Sequence, residues 1–183
     1  GVGGGTGHHD RRRDRGRRER PEPTRLPGGA GTGGVYSFDA GGGNTVLGLQ
    51  PTGGDLTPGD ITLRVENTSG GVAEELLVRY SIFIYDDQSR SSSLNVPYSL
   101  DDATYTPVPD ADYTTPGTQT NAWIEVEREI TIPAVDLANN DFVYLQWQTD
   151  DVAGSGSRPE FGLTNIEIEL QDAPADTQEL LGE

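Results

Sequence analysis

Cysteine, methionine and lysine are all absent from the 183 residues. Without cysteine there is no disulfide, no thiolate metal site and no thiol nucleophile, so redox chemistry assigns no compartment. The loss of both sulfur residues also removes the most easily oxidised side chains, which suits an exposed, extracellular life. Without lysine, no lysine–asparagine amide cross-link can staple the fold, and non-covalent packing must hold it. Histidine is nearly absent too: the only two are His8 and His9. Adjacent histidines in a glycine-rich stretch supply too few donors for a transition metal, and a Ser-His-Asp arrangement would have to recruit this stretch. No run approaches the roughly 18 apolar residues that span a bilayer. Hydrophobic residues make up 32% of the chain, so the core is expected to be thin.

What the chain has in abundance is acid, glycine and β-pattern. The net charge is −17, and it is divided unevenly. Residues 1–34 carry eight arginines against Asp10, Asp14, Glu19 and Glu22; residues 35–183 carry five arginines against 26 acids. A body of that sign repels nucleic acid and anionic membranes and attracts cations or a basic segment. From Val35 onward, alternation of period two marks half-buried strands. "DITLRVEN" sets Ile61, Leu63 and Val65 on one face, and "EELLVRYSIFIYDD" sets Leu76, Val78, Tyr80, Ile82 and Ile84 inward. The opposite face of that second strand carries Leu77, Phe83 and Tyr85, so it too is expected to be covered. "NAWIEVEREITIP" alternates Ile124, Val126, Ile130 and Ile132 against Glu125, Glu127 and Glu129, a solvated face. "DFVYLQWQT" and "GLTNIEIEL" follow the same logic, with "VYSF", "TVLGLQ" and "LNVPYSL" as shorter candidates.

About eight strands joined by Gly, Pro, Asn and Asp turns predict an all-β chain. Its expected form is a two-sheet antiparallel sandwich, jelly-roll-like, with an extended N-terminal arm. The expected organisation is a Gly/Arg-rich arm over 1–34, a sandwich over 35–171 and a polar tail over 172–183. An opening Gly1 with no apolar leader fits a processed product.

Three segments resemble a β-sandwich, jelly-roll-like domain that recurs in secreted and surface-attached bacterial proteins. They are "ITLRVENTSG", "LLVRYSIFIYDDQSRSSSLNVPYSLDDATYTPVPDADYTTP" and "VDLANNDFVYLQWQTDDVAGSGSRPEFGLTNIEI". The last carries the closing W-x-x-x-D-x-x-G-S-G-S-R-x-E-F-x-L pattern. The resemblance covers roughly residues 35 to 170 and implies export and a non-catalytic binding or structural role. It departs at Thr164–Asn165, where the group often has an Asp pair. The basic arm lies outside it.

Several constellations are candidates for function. Asp150, Asp151, Glu160 and Asn165 could supply a hard oxygen shell for calcium, with loop glycines curling the backbone around the ion. The bland alternative is a solvated loop in which Arg158 pairs with Asp151 or Glu160. Acid pairs Asp86–Asp87 and Asp101–Asp102 read as turn residues. The row Glu125, Glu127, Glu129 is too open to raise a pKa for two-carboxylate hydrolysis, so it reads as surface and the chain as no enzyme. Trp123, Trp147, Tyr85, Tyr98, Tyr105 and Tyr113 are candidates for an aromatic sugar platform. Trp147 is expected in the core, and Trp123, outward with the glutamates, is the better stacking residue.

The arm has no aromatic residue to stack on bases, which argues against nucleic acid. Arg11, Arg12, Arg13, Arg15, Arg17, Arg18, Arg20 and Arg25 suit bidentate pairing with carboxylates. They are expected to dock on Glu125, Glu127 and Glu129 of a neighbouring copy, with Tyr36 and Phe38 as anchors of any donated strand. The leading expectation is therefore a self-assembling extracellular filament or sheath subunit, a homopolymer without nucleic acid or membrane insertion. The alternative is a secreted carbohydrate- or surface-binding module at the cell surface, with a glycan as partner.

Overall fold

The computed structural model describes residues 29–87 and 89–171. The arm arginines lie outside the described residues, as does the tail. Among the described residues, alternating patterns become ten strands, with one 3-10 turn at Pro109–Ala111. The strands are β1 (Gly34–Gly41), β2 (Asn44–Gln50), β3 (Gly59–Glu66), β4 (Glu75–Tyr85) and β5 (Arg90–Asn95). They continue with β6 (Tyr98–Ser99), β7 (Tyr113–Thr114), β8 (Trp123–Ile132), β9 (Phe142–Gly154) and β10 (Glu160–Gln171). The count exceeds eight because Pro97 splits the "LNVPYSL" stretch and because β7 is too short to show a period.

All strand pairs are antiparallel and form two sheets, as the sequence predicts. One sheet has the order β1-β2-β10-β4-β8, and the other has β3-β9-β5-β7 with β6 also paired to β9. The core lies between them. Leu76, Val78, Tyr80, Ile82 and Ile84 of β4 face Leu145 and Trp147 of β9 within one cluster. Trp147 is 1% exposed and meets Tyr80 edge-on at 5.6 Å, so packing is its role, as expected.

β4 is an interior strand of its sheet, between β10 and β8, and is buried on both faces, with Leu77 and Phe83 covered as well. What covers its outer side comes from β1. That strand forms a hairpin with β2 of the same chain, in the register Tyr36↔Gly48 and Phe38↔Val46. Gly41, Gly42 and Gly43 all adopt positive φ at the turn between them, a conformation that only glycine takes without strain. So short a loop costs little closure entropy, which favours pairing of β1 with β2 of its own chain. This corrects the expectation that Tyr36 and Phe38 anchor a donated strand: Phe38 is fully buried in its own chain.

β10 changes phase midway. Leu163 points inward, yet so do Ile166 and Ile168, because the register shifts between Thr164 and Glu167. Asn165 sits in this bulge at φ +52°, a left-handed position that asparagine tolerates.

Candidate functional site

The outer face of the β1-β2-β10-β4-β8 sheet carries the densest set of side chains with binding character. Its residues follow from register. Tyr85 lies opposite Trp123, Phe83 opposite Glu125, Ser81 opposite Glu127 and Arg79 opposite Glu129. On the other side Gly162 lies opposite both Phe83 and Gly48. In a flat sheet with about 4.8 Å between strands, β1 and β8 would stand roughly 19 Å apart. The rings of Phe38 and Trp123 nonetheless approach to 5.4 Å. The sheet must therefore curl toward this face, which makes it concave.

Two glycines form the floor of the concavity. A Cβ on Gly48 would lie 2.1 Å from the Phe38 ring, and one on Gly162 would lie 2.3 Å from Val46 Cγ2. Without them, Phe38 and Val46 could not lie flat across the sheet. Over this floor the aromatics form a continuous row. Tyr36 stacks on Phe38 at 5.5 Å, Phe38 meets Trp123 at 5.4 Å, and Trp123 meets Tyr85 at 5.4 Å. Phe38 is the buried keystone, while Tyr36, Tyr85 and Trp123 stay half-buried and keep ring surface toward solvent. Tyr36 is fixed by its hydroxyl, which donates to the Thr32 carbonyl at 2.9 Å.

Beyond the row along the strands lies a polar hollow of about 260 Å³, lined by Arg79, Ser81, Glu127, Glu129, Asn165 and Glu167 among others. Arg79 Nε donates to Glu129 at 2.7 Å and its NH1 reaches Glu169 at 3.4 Å. These carboxylates raise the Arg79 pKa, chiefly through the Glu129 hydrogen bond. The three glutamates expected as an acceptor row lie along the outward side of β8. Glu125, Glu127 and Glu129 are all exposed, although Glu129 is already paired within its own chain.

At the other margin of the row, β10 begins with Glu160, beside Tyr85. It is 2% exposed, and its Oε1 accepts the Ala30 amide at 2.5 Å. Oε2 has no hydrogen-bond partner among the described residues. Burial pushes this carboxyl up to about 7; the Ala30 and Gly29 amides oppose that rise and the nearby charge of Asp87 adds to it.

No family model and no curated protein matches the sequence. Solved structures similar to it include one described as Family 16 Carbohydrate Binding Module-2. That match has 14% identity and a TM-score of 0.39, covering 74% of this chain and 84% of the other. A non-crystalline cellulose specific carbohydrate-binding module, CBM28, aligns at 13% identity and TM-score 0.43, covering 74% and 80%. The infectious bursal disease virus VP2 subviral particle aligns at 13% identity and TM-score 0.32, covering 75% and 38%.

The four calcium candidates fall in different surroundings. Asp150 and Asp151 are not in a loop; β9 carries them, paired with Ser93 and Ser92 of β5. Both oxygens of Asp151 are engaged by Arg90, Nε at 2.7 Å and NH2 at 2.6 Å, with Arg158 NH2 at 3.6 Å. The Arg90 hydrogen bond, more than any other influence, holds the Asp151 carboxyl below its usual range. Glu160 turns to the Ala30 amide instead, and Asn165 lies five residues farther along β10, roughly 16 Å at strand rise. The expected shell is not assembled, and among the described residues no three acids or histidines converge on one point.

Two of the six aromatic candidates, Trp123 and Tyr85, belong to the row. Tyr98 and Tyr113 pack against the inner core, and the Tyr105 hydroxyl donates to Asp102 at 2.6 Å. Tyr36 and Phe38 are the members that sequence reasoning assigned elsewhere.

Proposed function

We propose that the protein is an exported, non-catalytic module that binds oligosaccharide on the concave outer face of the β1-β2-β10-β4-β8 sheet. The observation that carries this reading is the aromatic row, with half-exposed rings of Tyr36, Trp123 and Tyr85 mounted over a glycine floor. A pyranose ring has an apolar, weakly electropositive C–H face, and an aromatic face is its natural complement. Its rim of hydroxyls needs polar partners, and the adjacent hollow offers Ser81, Asn165, Arg79 and carboxylates. An apolar platform with a few convergent polar groups is the general form of a small-molecule site. The lack of cysteine and methionine supports an extracellular setting.

The test is affinity electrophoresis of the full chain in gels containing soluble glucan, xylan, mannan or glycol chitin. Retardation by at least one polymer is expected, and Trp123→Ala should abolish it while leaving the circular dichroism spectrum unchanged. Free migration in every gel defeats the reading, as does retardation that Trp123→Ala leaves intact.

A further inference from the structure

Resting on the glycan-binding reading, we infer that this face selects its sugar by charge and prefers amino-sugar chains carrying protonated amines over uronic or sulfated ones. Glu125 follows Trp123 by two residues on the same strand face, about 6.6 Å away, and Glu127 follows by four, about 13 Å. That spacing sets carboxylates alongside a chain stacked on Trp123 and running toward the hollow. Glu125 and Glu127 are exposed, and no ion pair engages either among the described residues, in contrast to Glu129 with Arg79 at 2.7 Å. The Arg79 guanidinium is therefore already neutralised, and Arg128, which also lines the hollow, sets its guanidinium over the Tyr113 ring at 5.4 Å, so what the face offers an incoming ligand is an excess of negative charge. Glu160, beside Tyr85 at the margin of the row, is 2% exposed and holds the Ala30 amide, so it takes no part in meeting the ligand. An ammonium on the sugar brings its own donors and charge to Glu125 and Glu127. A uronate would bring like charge into a face whose body already carries an excess of acid, which disfavours it.

The experiment is titration calorimetry of the full chain at pH 6 and low salt with three hexasaccharides. These are β-1,4 glucosamine, its N-acetylated form and galacturonate. The glucosamine hexamer should bind tightest and galacturonate should not bind. In Glu125→Gln/Glu127→Gln the ratio of glucosamine to N-acetylated affinity should fall roughly threefold to tenfold, the scale of two exposed charge pairs. Trp123→Ala should abolish binding of both. If the N-acetylated hexamer binds as tightly as the free amine, or the preference survives the double variant, the charge selection is wrong while glycan binding stands. If glucosamine binding survives Trp123→Ala, the attraction is only that of a polycation for an acidic protein, and the inference fails. If no hexamer binds, the amino-sugar preference fails, while retardation in the glucan, xylan or mannan gels still decides the glycan reading on its own.

Discussion

Gly48→Ala puts the construction of the concave face to a direct test. The new methyl would lie 2.1 Å from Phe38 Cδ2 and 2.4 Å from Cε2, where unstrained carbons rest about 3.5–4.0 Å apart. The ring must retreat by roughly 1.5 Å. It has nowhere to go, because Phe38 is fully buried between Tyr36 at 5.5 Å and Trp123 at 5.4 Å. Overpacking of this kind costs about 1–3 kcal/mol. Against it stands a gain of about 0.4–1 kcal/mol, because alanine restricts the unfolded chain more than glycine does. Gly48 is in a strand and not at positive φ, so that gain is available.

The net expectation is a loss of about 1–2 kcal/mol, seen as a urea midpoint lower by roughly half to one molar with an unchanged slope. The steric origin is separable by a double-mutant cycle. In a Phe38→Leu background, whose shorter side chain vacates the space, the same glycine change should cost little or should stabilise. An unchanged or higher midpoint for Gly48→Ala alone would refute the packing argument, as would an equal cost in both backgrounds.

Further consequences are open to measurement. Glu160, raised to about 7 in the folded protein, binds its proton more tightly folded than unfolded. Its stabilising contribution is complete below its ordinary value near 4.5 and is lost as pH rises through 7, a change of about 3 kcal/mol. Glu160→Gln should therefore flatten the decline in stability between pH 5 and 8 in urea titrations, and parallel pH profiles for the two proteins would disprove it. Asp151→Asn should cost about 1–2 kcal/mol at pH 7, since it breaks the two-pronged Arg90 contact and leaves the largely buried Arg158 without its carboxylate. Because the Asp151 carboxyl is held below its usual range, that stabilisation is present above pH 4 and fades in stronger acid, so the two proteins should converge there. The two tryptophans should separate cleanly. Trp147→Ala should lose about 3–5 kcal/mol of stability, whereas Trp123→Ala should abolish glycan binding at a much smaller cost in stability. Equal stability losses for the two would contradict their assignment to core and platform.

The inner core was legible because its signal is local. Alternation in β4, β8 and β9 places each inward residue without knowledge of any partner strand. The slip of phase in "GLTNIEIEL" went unread: Leu163 and Ile166 cannot share a face of a regular strand, and the bulge at Asn165 is what lets both point inward. The stretch after Thr149 misled for the same reason. Alternation stops at "DDVAG" in the sequence, yet β9 continues to Gly154 because β5 still pairs with it and Arg90 ties Asp151 from across the sheet.

The concave face was harder, because its central contact joins residues 38 and 123 across a curled sheet, and no pattern within either strand reports that curl. Leu77, Phe83 and Tyr85 announced that something covers β4, but not what. The missing clue lay in glycines at strand-interior positions, Gly48 in "TVLGLQ" and Gly162 in "EFGLTN". A glycine inside a strand weakens it unless another group must come close. Two such glycines in neighbouring strands mark a place where a large side chain lies across the sheet, and the lone strand-edge aromatics Tyr36 and Phe38 were the residues available to fill it. On that reasoning, glycines inside strands locate the outer face as well as alternation locates the inner one, and the site belongs where the two signals meet, at the outward side of β4 beside Trp123.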